Sequence, residues 1–342
     1  MDKFISITPE DKRAYFEATA AKLSLRPEFI EKDFWVCWML KTLFSLNGVG
    51  QHLIFKGGTS LSKCYKVIKR FSEDIDISIS KEFLLGEDAI FPDSRESNKE
   101  NNRRIERLKD ECKSKINNVI VPNLKENVLE IIGSNGWKIE VSPDDQDGQT
   151  VIFFFPQTLK TVTGGYVQQS VKIEFGARSD HWPSKTLEIV PYIIEVFGET
   201  EMKGASVKVL AAERTFWEKV TILHAIYHRP IEKGVQPRMS RHYYDIYSMI
   251  NSPICEKAIS GIGLLKKVAE HKKLYFRDNK ARYDEAVPPT LRLIPKEDQI
   301  KILKEDYKKM EEMIFEEPIP DFSDIIEKLR DLEGKINSKR VF

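Results

Sequence analysis

The sequence predicts an α+β chain: a mixed α/β core on a mixed sheet, entered through an N-terminal helical pair and followed by a helical C-terminal domain. Three observations predict it. A short apolar run, Leu53-Ile54-Phe55, leads through Lys56-Gly57-Gly58-Thr59-Ser60 into a helix-like stretch and then an alternating run from Asp74 to Ile79. More strand-like runs cluster between Trp137 and Val196. From Val207 the pattern reads as helical, punctuated by prolines from Pro230 to Pro320. The expected division is 1–50 for the N-terminal helices, 51–204 for the core with a polar helical insertion around 96–133, and 205–342 for the C-terminal helices.

The elements follow in order. Thr8-Pro9-Glu10-Asp11 combines a cap residue, a proline at the first helical position and acids in the first turn, so a helix should run over 9–23. Pro27 opens a second helix to about Phe44, with Phe29, Phe34, Trp35, Trp38 and Leu40 expected in the core. Lys32-Asp33 in that helix are expected at the surface. After Ile79 comes an irregular stretch, Lys81 to Arg95, then a polar helix over 96–118 and another from Pro122 to Gly133. Its cations (Arg103, Arg104, Arg107, Lys109, Lys113, Lys115) interleave with Glu100, Glu106, Asp110 and Glu111. That is the pattern of a solvated helix; the alternative is an RNA-facing arm. Strands are expected at 137–141, 151–155, 167–175 and 186–196, with Asp144 to Gly148 as a hairpin connection.

Composition narrows the function. The 342 residues suffice for one large or two ordinary domains, and 41% apolar residues allow a sizeable core. A formal net charge of +1 excludes a global basic field, so any nucleic-acid binding must be local. The four cysteines are scattered with no CxxC pair, which fits reduced thiols. No run approaches a membrane span and the N-terminus lacks an apolar leader core, so a soluble cytoplasmic protein with no membrane partner is expected.

The chemistry concentrates between Ile54 and Ile79. Asp74 and Asp76 alternate with Ile75, Ile77 and Ile79, so on a strand the carboxylates share one face and the isoleucines the other. Two carboxylates on one face can hold a hard cation, and Gly57-Gly58 let backbone approach a phosphate. Together they point to metal-dependent chemistry on a nucleotide.

A Gly-Gly turn, a helix and then Asp-x-Asp resembles the signature of the DNA polymerase β-like nucleotidyltransferase superfamily. The wording FKGGTSL…RFSEDIDI resembles its AbiEii/AbiGii toxin branch, of bacterial abortive-infection and toxin–antitoxin systems, with motif resemblance from about Phe34 to about Ile250. The resemblance implies a core of the nucleotidyltransferase type and a third acid after Asp-x-Asp, here Glu174 on the alternating run Ser170 to Phe175. Glu174 is then a metal ligand, a base, or a partner of Arg178. Lys56, Gly57, Gly58, Thr59 and Ser60 would cradle the phosphates of an NTP, with Mg²⁺ or Mn²⁺ at Asp74, Asp76 and Glu174.

The resemblance also implies a phosphate-contacting lysine, which Lys219 matches, and an Arg-x-x-(Tyr/Leu)-Asp pattern ending at Asp245. Asp245 would orient Lys219 or steady a substrate hydroxyl, with Arg241 and Arg238 fit to grip phosphate. Arg178 and His181 in GARSDHWP either meet the substrate or are structural. His224 and His228 have metal-like i, i+4 spacing but no third partner at motif distance. The expected reaction is transfer of NMP from an NTP to RNA, with the 3′ end of tRNA as acceptor and an antitoxin as partner. The alternatives are transfer to a protein hydroxyl, or nucleotide binding without turnover. The role of residues 296–342 is left open.

Overall fold

The computed structural model describes residues 1–159, 168–198, 202–230 and 234–339. The start of the strand expected at Val167, and the basic end at residues 340–342, lie outside them. A short helix α1 (Asp2–Ile5) precedes α2 (Pro9–Leu23), where the Thr8 hydroxyl accepts the Asp11 N–H at 3.1 Å. Helix α3 (Pro27–Ser45) carries the predicted aromatics, and Phe29, Phe34, Trp35 and Trp38 are all buried.

The strands are β1 (Leu53–Lys56), β2 (Ile75–Ile79), β3 (Lys138–Val141), β4 (Thr150–Phe154), β5 (Ser170–Gly176), β6 (Ser184–Ile189) and β7 (Ala205–Leu210). They form one mixed sheet in the order β3-β4-β5-β2-β1-β7-β6. Strand β1 is antiparallel to β2 and parallel to β7, while β2 is parallel to β5. One face buries Ile75, Ile77, Val171, Ile173, Val151 and Phe153, and the Trp35 and Trp38 rings of α3 meet Phe153 there. This burial, more than strand propensity, fixes the register, because a slip of one residue would turn the isoleucines out and the carboxylates in.

Between β1 and β2 lies α4 (Gly57–Lys63); α5 (Lys81–Leu85) follows β2. Helix α6 (Asn98–Lys115) continues through a π-helical turn, Ile116–Ile120, into α7 (Val121–Ile132), so the two expected helices form one run. The Asp144–Gly148 segment is a turn, where the Asp145 carboxylate accepts the N–H groups of Asp147 and Gln149.

Two stretches depart from the sequence reading. The run expected as strand over 186–196 splits into β6 and a helix α8 (Tyr192–Phe197). Residues from Val207, expected to be helical, begin inside β7, and helix starts at α9 (Ala212–His228). Short apolar runs do not separate strand from buried helix by periodicity alone. The remaining helices are α10 (Ser240–Ile250), α11 (Pro253–Ser260), α12 (Gly263–Tyr275), α13 (Glu297–Met310) and α14 (Phe322–Asn337).

The chain divides into two compact units. One comprises Met1–Cys64, Ser72–Phe91 and Asn102–Leu210, and so holds the whole sheet; the other comprises Tyr65–Phe71, Pro92–Asn101 and the described residues from Ala211 on. In the second unit α10 packs with α9, α11, α13 and α14. Among the described residues no helix is long and apolar enough to cross a membrane.

Candidate active site

The acid face of β2 is as the alternation predicts, with one adjustment. Strand β2 begins at Ile75, so Asp74 stands just before it and Asp76 within it, both half-exposed. Asp76 is the register partner of Lys56 on β1 and of Glu174 on β5, and Glu174 in turn pairs with Thr150 on β4. Register partners point to one face, so Lys56, Asp76, Glu174 and Thr150 form a row across the sheet. The Glu174 carboxylate, 43% exposed, is held by Lys172 Nζ.

The turn before α4 explains its glycine. Gly57 has φ +78°, and a Cβ there would stand 1.9 Å from Asp76 Oδ2. Backbone and carboxylate therefore meet where any other residue would displace Asp76. The Thr59 hydroxyl donates to the Asp74 carbonyl at 2.5 Å and that of Ser60 to the Gly57 carbonyl at 2.8 Å. Both side chains are buried, so they brace the turn and the Asp74 segment, and a phosphate would meet backbone there.

Lys32-Asp33, expected at the surface, are buried together with Glu31. Each ties α3 to a different element. Glu31 accepts the N–H groups of Thr158 and Leu159, at 2.7 and 3.3 Å. Lys32 Nζ donates to Glu73 Oε2 at 2.6 Å and to the Gln168 carbonyl at 2.7 Å. Asp33 pairs with Lys63 of α4 at 2.7 Å and accepts the Tyr192 N–H at 2.7 Å. Burial raises the Glu31 pKa against the pull of its two backbone donors. The correction is physical: a buried charge is tolerated when paired, and these partners lie too far along the chain to be read locally. Through Glu73 and Lys63, α3 anchors both the segment entering β2 and the helix after the glycine turn. On the acid face itself, Ser78 Oγ lies 2.8 Å from His181 Nε2, which buries Ser78. Arg178 is half-buried nearby in sequence.

In the second unit, Asp245 on α10 is 0% exposed. Arg70 grips it bidentately, Nε to Oδ1 at 2.7 Å and Nη2 to Oδ2 at 2.9 Å, and Lys219 Nζ on α9 reaches Oδ2 at 2.8 Å. Burial would raise the Asp245 pKa, but Arg70 and Lys219 overcome it and hold the carboxyl well below its ordinary value. Burial lowers the Lys219 pKa, Arg70 adds to that, and Asp245 opposes it. His242, with Nδ1 3.4 Å from Lys219 Nζ, is pushed far below an ordinary histidine by burial and then by Lys219 and Arg241. Arg241 is half-buried in the first turn of α10, and the Arg238 N–H donates to Asp306 at 2.7 Å. His224 is neutral and structural: its Nδ1 accepts the Arg292 N–H at 3.0 Å and its Nε2 faces the Arg282 carbonyl at 3.1 Å. A cavity of about 210 Å³ in this unit, lined by Ile222, Ile226, Arg229, Met239, Asp278 and Tyr283 among others, includes no predicted site residue.

The sequence reading missed Arg70, Glu73 and Lys63. Arg70 and Glu73 stand in the RFSEDIDI stretch that carried the resemblance, but only the fold shows that Arg70 meets Asp245 and Glu73 meets Lys32. A further hint was a charged triplet inside the aromatic helix α3.

The family profile for the nucleotidyl transferase AbiEii toxin of type IV toxin–antitoxin systems matches residues 38–328. The chain belongs to that family. Membership places it among nucleotidyltransferase toxins. No curated protein sequence matches it. The fold is similar to that of MenT4, a nucleotidyltransferase toxin from Mycobacterium tuberculosis H37Rv, with a TM-score of 0.52 and 16% identity over 98% of this chain and 91% of that one. At that identity the likeness speaks for the fold.

Asp74 and Asp76 offer carboxylate oxygens on a half-exposed surface, the donor chemistry that suits a hard divalent cation. Asp76 and Glu174 are register neighbours, whereas Asp74 precedes the strand and Glu174 is turned to Lys172. Among the described residues no three His, Cys, Asp or Glu side chains converge as a ready-made metal cluster. The residues that would fit such a cation are Asp74 and Asp76, while Glu174 is paired with Lys172.

Proposed function

We propose that the acid face of β2 transfers a nucleoside monophosphate from an NTP to an acceptor hydroxyl on RNA, with the 3′ end of tRNA as acceptor. The observation that carries the reading is the packing of Asp76 against Gly57, in the register row with Lys56 and Glu174. It brings the turn that would approach the phosphates against the carboxylate that would hold a cation. The acceptor oxygen forms a bond to the α-phosphorus, the α–β anhydride bond breaks, and pyrophosphate leaves with its electron pair. A Mg²⁺ or Mn²⁺ ion at Asp74 and Asp76 would lower the pKa of the acceptor hydroxyl and steady the pyrophosphate.

The protein's part is positioning and charge. Gly57 and Gly58 admit the phosphates to the backbone, and Lys56 offers a cation beside Asp76. Thr59 and Ser60 keep the turn in place. Glu174 would help to hold the metal ion or take the acceptor proton. The family resemblance gives Lys219, which Asp245 orients and Arg70 steadies through Asp245, and Arg241 the role of phosphate contacts. A cognate antitoxin is the protein partner that the family implies, and the cytoplasm is where NTP and tRNA are met.

Incubation with Mg²⁺, each labelled NTP in turn and bacterial tRNA tests this, beside Asp76→Ala. Label entering RNA only with the unmodified protein is the expected result. Label entering protein would replace the acceptor, and nucleotide binding without transfer to anything would reduce the face to a binding device.

A further inference from the structure

The connection from β5 to β6 has a path fixed by strand order. It leaves β5 at Gly176, the register partner of Ser78, and enters β6 at Ser184, the partner of Leu210. Leu210 is one residue beyond the Phe55–Val209 pair of β1 and β7, which brings it level with Lys56 and hence with Asp76. With β2, β1 and β7 between β5 and β6, residues 177–183 must cross those strands. They cross on the acid face, because His181 Nε2 lies 2.8 Å from Ser78 Oγ, and Ser78 shares the face of Asp76. The crossing thus descends from the level of Ser78 to the level of Asp76.

Trp182 lies on that descent, directly after the anchored His181. It is 57% exposed, the most exposed aromatic residue among those described. An indole so placed leaves in water much of the large apolar surface it would gain by burying. Trp35, Trp38 and Trp217, by contrast, are all buried.

We propose that Trp182 is a stacking surface for a nucleobase bound at the acid face. A flat π-surface carried by a loop pinned to the acid strand recognises any purine or pyrimidine ring by its face, with little preference among bases. The ligand class rests on the transfer reaction proposed above. The ring comes from the incoming NTP or from the RNA end that receives the nucleotide.

Fluorescence titration of the full chain tests it. The unmodified protein, Trp182→Phe and Trp182→Ala are titrated with NTP in one arm and with a single-stranded RNA oligonucleotide in the other, with folding checked by circular dichroism. Ligand should quench an emission component that both variants lack. In the arm that supplies the base, Trp182→Ala should bind about 5- to 150-fold more weakly and Trp182→Phe within a few fold of the unmodified protein. Equal affinity of Trp182→Ala for both ligands, or no binding of either by the unmodified protein, overturns the assignment. Transfer activity read on the same samples separates the two ideas. Transfer with no Trp182 effect sinks only the stacking role. Trp182-dependent binding without transfer sinks only the reaction.

Discussion

Asp76 and Asp245 are carboxylates in opposite surroundings. Asp76 stands half-exposed on a strand face, beside a glycine turn and in a row with another acid and a lysine. Asp245 is sealed in a helical unit, gripped by Arg70 on both oxygens and by Lys219 on one. The first arrangement leaves the carboxylate half-exposed to solvent. The second spends its charge on its own partners. The contrast teaches that acids picked out by the same family resemblance can differ in burial, one half-exposed and one sealed among its counter-charges.

The largest stability effect should come from Asp245→Ala, which leaves Arg70 and Lys219 buried without their counter-charge. Denaturant unfolding should show a loss of about 3–5 kcal/mol. A loss under about 1 kcal/mol would mean the cluster is not the structural tie described. Lys219→Met sharpens the comparison. Arg70 still compensates Asp245, so stability should fall by less than about 2 kcal/mol. Transfer should nevertheless drop about a hundredfold or more if Lys219 serves the phosphates; parallel losses in both would make Lys219 purely structural. Gly57→Ala probes the open side. With φ +78° and Asp76 Oδ2 1.9 Å from the added carbon, it should cost about 1–3 kcal/mol and displace the carboxylate. Activity should fall further than stability.

The last probe is a pH slope. Burial lowers the His224 pKa to about 4, opposed by its bond to Arg282 and reinforced by His228, Arg282 and Arg292. The unfolded chain takes up that proton below about 6.5 and the folded one only near 4, so stability falls as pH drops through this window. His224→Gln should remove up to about 1.4 kcal/mol per pH unit of that slope. Asp245, held below its ordinary value, contributes stability that is lost only at more acidic pH. An unchanged slope in the variant would contradict the neutral, buried imidazole.

What was legible in the sequence follows the range of its signals. The alternation of Asp74 and Asp76 with three isoleucines is a local, period-two pattern, and it placed both faces of β2 correctly. Gly57 was legible as a turn, although its contact with Asp76 depends on strand register. Glu31, Lys32 and Asp33 were not legible, because charged residues default to the surface and their partners lie far along the chain. Tyr192–Phe197 and Val207–Leu210 were misread because a short apolar run fits a buried strand or a buried helix equally well. Lys219 and Asp245 were singled out through family resemblance, and Arg70 stood in the quoted RFSEDIDI stretch without any signal that it pairs with Asp245.

The measurement that tests the central claim most directly is labelled-nucleotide transfer by Asp76→Asn at matched folded fraction. A half-exposed carboxylate that works by holding a cation should lose transfer by at least about a hundredfold in the amide, with the unfolding midpoint within experimental scatter of the unmodified protein. Transfer within a few fold of the unmodified protein would contradict the account and move the chemistry off β2.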